Sequence, residues 1–205
     1  EVTDLTGDDR FEIAEMPFDE RAYRAELGVP ELHGEPGYTP LERLTARPTL
    51  EISQVEGGGR YTVIPATARA YLTCRLVPNQ DPARIAAAIA RHVLGRCPDG
   101  ATASVEEVPG GIPAYSIRHD HPALAAAEEA LRAVYPGRKV LRTRAGGTLP
   151  AAVLLRRALG LDTLLFSFSS SDEGFHGPNE FFRLSRLREG TDAWARLLDL
   201  LGDRL

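Results

Sequence analysis

The feature that most restricts the fold is an alternation running through residues 61–77. Ala70, Leu72, Cys74 and Leu76 share one parity, and Arg69, Tyr71, Thr73 and Arg75 share the other. A period of two with one apolar and one polar set describes a strand with one packed face and one wet face, the habit of an antiparallel sheet. A second alternating run, 49–55, precedes it and ends at Gly57-Gly58-Gly59, a turn signal. Asp81-Pro82 then opens a helix with an acidic cap and a proline in its first turn. Ile85, Ala88, Ile89, His92 and Val93 form its apolar stripe, and Gly95 closes it. Residues 101–108 and 113–118 read as two further strands. The order predicts a small four-stranded antiparallel α+β layer over 48–118.

After His121-Pro122 the rhythm changes. Leu124, Ala127, Leu131 and Val134 mark a helix, 139–143 a short strand, 148–159 a helix stopped by Gly160, and 163–168 a buried-type strand. A polar loop follows, and a last helix from about Thr191 carries Trp194, Leu197, Leu198 and Leu201. This alternation over 119–205 predicts part of an α/β sheet. Two strands make a poor sheet alone, so partner strands are expected from elsewhere. Residues 1–47 show weak periodicity and read as an excursion or arm, with one short helix over 19–27 capped by Asp19 and stopped by Gly28.

Composition narrows the function. The formal net charge of −5 over 205 residues disfavours a nucleic-acid partner. No apolar run approaches the ~20 residues that cross a bilayer, so no membrane partner is expected. Cys74 and Cys97 form neither a CxxC pair nor a framework, which predicts a reducing, cytoplasmic setting. The chain opens on Glu1 without a methionine or a basic-then-apolar leader, and the expectation is a piece cut from a longer protein.

Two segments hold the most chemistry. In Asp172-Glu173-Gly174-Phe175-His176-Gly177-Pro178-Asn179-Glu180, a histidine between glycines, beside a proline and two carboxylates, follows a buried strand. Neutral imidazole suits zinc, and a neighbouring carboxylate could orient it; the alternative is an ordinary polar loop histidine. In Arg144-Ala145-Gly146-Gly147-Thr148-Leu149-Pro150, Gly146 and Gly147 let backbone approach a ligand before a helix N-terminus, and Arg144 offers a planar fork for a carboxylate. A plain tight turn is the competing reading. Three weaker constellations stand beside these. His119 and His121 share one side of a strand. Ser169, Ser170 and Ser171 with Asp172 and His176 contain triad residue types but crowd one loop, without a nucleophile elbow. Arg183, Arg186 and Arg188 read as a solvated helix entrance.

Four motifs in order resemble one family: Thr62-Val63-Ile64-Pro65-Ala66, Arg75-Leu76-Val77-Pro78-Asn79-Gln80-Asp81-Pro82, Arg144 to Pro150, and His176-Gly177-Pro178-Asn179-Glu180. They are similar to motifs of the di-zinc aminoacylase, dipeptidase and glutamate-carboxypeptidase family, with the likeness running from about Thr49 to the C-terminus. The resemblance implies a lid (dimerisation) domain at 48–118, a four-stranded antiparallel sheet with helices on one face. It implies the α/β C-terminal part of a zinc-peptidase catalytic domain at 119–205, and a lid excursion at 1–47. It also implies a dipeptide or N-acyl-amino-acid substrate, a homodimer formed through the lid, and two zinc ions in the complete enzyme. On this likeness His176 matches the C-terminal zinc ligand, Arg144 the substrate-carboxylate arginine, and Thr62 a lid residue that reaches substrate, with Gly146 and Gly147 in the same binding segment. The family's H-x-D motif, bridging aspartate and Glu-Glu pair with the general base have no counterpart here. The chain is therefore expected to lack a catalytic residue of its own and to be inactive alone, as the C-terminal portion of a zinc-dependent dipeptidase-like hydrolase. The alternative is a non-catalytic dimerisation or peptide-binding module.

Overall fold

The computed structural model describes residues 2–59, 62–147 and 149–202. Among them are seven α-helices and one two-stranded antiparallel sheet, a mixed α/β chain. It divides into two compact units, Glu1–Ser116 with Thr143–Leu154, and Ile117–Arg142 with Leu155–Leu205.

The first unit opens with three short helices, α1 (Gly7–Ala14), α2 (Glu20–Leu27) and α3 (Pro40–Ala46). Helices this short do not hold themselves, so their ends matter. Thr6 and Thr39 begin capping boxes on α1 and α3, in which the threonine oxygen takes the N–H three residues on and an acid there returns to the threonine N–H. Asp19 caps α2, and Gly28 ends it at φ 68°, the left-handed region where a side chain is strained. The arm thus has more order than its weak periodicity indicates. Its interior is polar as much as apolar: Ile13, Ala46 and the Glu42 carboxylate are buried. Glu42 takes the Thr39 N–H at 2.6 Å and an Arg10 N–H at 2.7 Å.

Strands β1 (Thr49–Gly57) and β2 (Ala68–Arg75) pair antiparallel. Leu50 faces Cys74, Ile52 faces Leu72 and Val55 faces Ala70. The spacing from Ile52 to Val55 breaks strict alternation, and a bulge at Ser53 absorbs the extra residue. The apolar set therefore stays on one face. That face is not packed as the alternation predicts: Leu50, Ile52 and Val55 are 59, 63 and 71 % exposed. The long run foreseen over 61–77 also shortens, because 62–67 bends before β2, while Tyr61 lies outside the described residues. Helix α4 (Pro82–Leu94) is capped by Asp81 as expected. Its half-buried side is Ile85, Ala86, Ile89, Ala90 and Val93, whereas Ala88 and His92 are exposed.

In the second unit, α5 (Pro122–Val134) packs on α7 (Leu184–Gly202). Ala126, Ala127 and Ala130 supply a flat surface that allows close approach, and Leu197 is buried against them. Burial of a leucine of this kind contributes about 1.5–3 kcal/mol. Leu164 and Phe166 join this core, so 163–168 is anchored along α7. Phe166 meets Trp194 edge to face at 5.2 Å. Gly190 gives Phe168 its room, since a Cβ there would lie 3.0 Å from the ring. Helix α7 starts seven residues earlier than Thr191, at Leu184. Helix α6 (Pro150–Leu159) matches the predicted helix apart from its start.

The segments 101–108, 113–118, 139–143 and 163–168 carry no strand ladder among the described residues. Apolar alternation can prepare a segment for a sheet, but a ladder exists only where a partner supplies the facing N–H and C=O groups. Of the four strands expected over 48–118, β1 and β2 are the two that pair among the described residues.

Candidate functional site

Arg144 belongs to the first unit, in the loop before α6. Its guanidinium donates to the Asp9 carboxylate, with the arginine side chain 36 % and the aspartate side chain 14 % exposed. Asp9 is held from the other side by its own helix. Its second oxygen takes the Thr6 N–H at 2.9 Å, and its own N–H reaches the Thr6 hydroxyl at 3.1 Å. Burial pushes the Asp9 carboxyl up, but the Thr6 hydrogen bonds and the Arg144 charge outweigh it and leave it below the ordinary aspartate range.

The glycines that follow are placed by close approach. A Cβ on Gly146 would collide with the Leu44 carbonyl oxygen at the end of α3, and backbone cannot step aside. Arg75, at the end of β2, reaches the Gly146 carbonyl at 3.4 Å. The loop is therefore seated on α1, α3 and β2, and Gly146 is required by packing as well as by any ligand. Gly147 is exposed with open space around it, and Thr148 lies outside the described residues. Thr62 is exposed, on the bend before β2.

His176 belongs to the second unit and is exposed. It sits in the left-handed region at φ 58°, between Gly174 at 70° and Asn179 at 64°. A tight turn closes on it, with the Gly177 N–H donating to the Gly174 carbonyl at 2.9 Å. What shapes this loop is Glu173, a side chain with no solvent exposure. Its carboxylate takes the Ser170 N–H at 2.9 Å, the Arg183 N–H at 3.2 Å and the Arg183 guanidinium at 3.2 Å. Its carbonyl takes the Phe181 N–H at 3.1 Å. The Ser170 N–H leads in holding the Glu173 carboxyl below the usual range. Asp172 is gripped by the same arginine at 2.7 and 3.0 Å.

This arrangement bears on several of the sequence expectations. Asp172 and Glu173, two of the carboxylates near His176, serve Arg183 and the backbone. Asp172 is likewise committed to Arg183. Arg183 and Arg186 are more than a solvated entrance: Arg186 donates to Glu189 at 2.9 Å and to the Tyr135 hydroxyl at 3.1 Å. His121 caps α5, its Nδ1 accepting the Ala123 N–H at 3.2 Å, with Nε2 3.7 Å from Asp162. His121 thereby has a structural role at the start of α5.

Zinc sites use three or four protein donors. Among the described residues no group of three histidine, cysteine, aspartate or glutamate side chains converges. His176 offers one donor, and the described residues do not by themselves fit a zinc ion. Asp9 and Glu173 were the participants least visible in the sequence. Asp9 could be recognised only as the acid of a capping box, and Glu173 only as one of two carboxylates near a histidine.

Residues 13–200 match Peptidase family M20/M25/M40. A curated relative, the Cys-Gly metallodipeptidase DUG1 of Saccharomyces cerevisiae, is 29 % identical over 159 residues, covering 74 % of this chain and 32 % of that protein. The fold is similar to that of human carnosine dipeptidase 1, with a TM-score of 0.74 and 23 % identity over 99 % of this chain and 44 % of that one. It is similar also to a metallo-carboxypeptidase, Sso-CP2 of Sulfolobus solfataricus, with a TM-score of 0.75 and 24 % identity over 97 % of this chain and 46 % of that one. The chain spans less than half the length of these relatives. With nearly its whole length matched by the family, the chain belongs to the M20/M25/M40 peptidases.

Proposed function

We propose that this chain is the C-terminal portion of a metal-dependent dipeptidase-like hydrolase, and that its contribution is recognition of the substrate's terminal carboxylate by Arg144. The observation that carries this is the seat of Arg144: a guanidinium fixed in a glycine-paired loop ahead of α6, with a third of its side chain open. A planar fork can grip a carboxylate through two parallel hydrogen bonds. Gly147 leaves the backbone beside it accessible, and Thr62 is read as a further substrate contact from the lid. His176 supplies one metal donor, and the remaining donors and the general base come from residues outside this chain. Zinc, when bound in the complete enzyme, supplies Lewis acidity toward the scissile carbonyl. Assembly as a homodimer through the lid belongs to the same proposal.

The test is kinetic. Supplied with zinc, the 205-residue chain leaves dipeptides at the background rate. In the complete enzyme, Arg144→Lys lowers kcat/KM by roughly ten- to a hundredfold, the worth of one charge-assisted hydrogen bond, with metal content unchanged. His176→Ala loses metal and activity together. Wild-type kcat/KM in Arg144→Lys removes the clamp, and zinc-dependent turnover by the chain alone, abolished by His176→Ala, removes the reading of it as a portion. Dipeptide binding without hydrolysis in the complete protein favours a peptide-binding module instead.

A further inference from the structure

We infer that Asp9 is a positioning residue for Arg144: it holds the guanidinium by one side so that the open side is presented, already ordered, to the carboxylate of a substrate. The inference rests on the reading of Arg144 as a carboxylate clamp and adds the group that makes the clamp rigid.

Three observations support it. First, Asp9 is itself immobilised. It is the third residue of α1, its carboxylate closes the capping box with Thr6, and its side chain is largely covered. A carboxylate fixed in this way is an anchor and not a mobile counter-ion. Second, Arg144 stands in a stretch without regular structure, two residues before a glycine pair. A long side chain there has many rotamers, and ordering it during binding would weaken the complex. The pairing with Asp9 moves that ordering to folding. Third, the loop is held in register by separate contacts, the Leu44 carbonyl against Gly146 and Arg75 on the Gly146 carbonyl. The backbone is placed by α3 and β2, and the side chain by α1. An opposing effect is real: Asp9 carries a negative charge that weakens the attraction of Arg144 for a second carboxylate. The two effects have opposite signs in a single variant, which makes the inference decidable.

The experiment uses the complete protein, metal-free so that the probe is not hydrolysed and labelled with nitrogen-15 at arginine, with Arg144→Lys identifying the Arg144 side-chain signal. The probe is alanyl-alanine, and its C-terminal amide is the control that lacks the carboxylate. In the wild type the Arg144 Nε–H signal shifts with alanyl-alanine and not with the amide. Asp9→Asn keeps an acceptor for the Thr6 N–H but removes the charge. It broadens the Arg144 signal and weakens alanyl-alanine binding by roughly tenfold, about one charge-assisted hydrogen bond. Asp9→Glu, which keeps both a capping box and a carboxylate, recovers part of the loss. Thr6→Ala removes the cap while leaving Asp9, and it binds like the wild type. Unchanged or tighter binding in Asp9→Asn overturns the positioning role while leaving Arg144 as the clamp. Equal weakening in Thr6→Ala assigns the effect to helix placement and overturns it too. A wild type with no carboxylate-dependent shift at Arg144 overturns the clamp and, with it, this inference.

Discussion

Glu42 and Glu173 are both buried, and each is used as an acceptor for backbone N–H groups near a helix or turn start as well as for an arginine. At Glu42, burial pushes the carboxyl up, and the Thr39 hydrogen bonds and Arg10 pull it further down. At Glu173 the Ser170 N–H is the largest influence and lowers it. Both folded-state values thus lie below those of the unfolded chain. Each group then contributes stability that is fully present above the ordinary carboxylate range and is lost as pH falls through the folded value. The expected outcome is a urea midpoint that is flat near neutrality and declines below about pH 5. Glu173→Gln lowers the midpoint at neutral pH and flattens the acid decline. Urea titrations at several pH values check this, and an acid decline equally steep in Glu173→Gln would show that other carboxylates control it.

Helix α3 illustrates how the elements of the arm are held. It has seven residues, too few to persist alone, and its start combines the Thr39 cap, Pro40 in the first turn and the buried Glu42. Thr39→Ala removes the oxygen that receives the Glu42 N–H and should cost about 1 kcal/mol. Because Gly146 packs against the α3 carbonyl of Leu44, loss of the cap should also be felt in the Arg144 loop. Equilibrium denaturation measures the first effect, and amide exchange at 144–147 the second. An unaltered unfolding free energy would mean that tertiary contacts alone hold α3.

At the scale of the molecule, the β1–β2 ribbon dominates what the chain should do in solution. A lone hairpin is marginal in water, and this one shows Leu50, Ile52 and Val55 on one exposed face. Apolar patches and unpaired strand edges of this kind recruit other chains. The chain is expected to self-associate, in keeping with the proposed lid dimer. Sedimentation velocity at micromolar concentration checks this. Glutamate at both Ile52 and Val55 should shift the population toward monomer, and a wild type that is monomeric throughout would count against association by this face.

The sequence by itself determined the local events. Asp19 with Gly28, Asp81 with Pro82, and His121 with Pro122 mark helix starts and stops where the structure has them, because caps and prolines act through the backbone within a few residues. The four ordered motifs likewise identified the family, since each is a short contiguous string. Other matters were decided only by tertiary structure. Periodicity in 101–108 or 163–168 records a tendency toward extended chain, but the facing strand that makes a ladder is a property of distant residues. The Ser53 bulge became visible only when Ile52 and Val55 were both required to face the side of Leu72 and Ala70. The pairing of Asp9 with Arg144 joins groups 135 positions apart, and no local pattern encodes such a separation. An ion pair of that kind exists because folding brings α1 and the glycine loop together, and only the folded chain specifies which carboxylate the arginine meets.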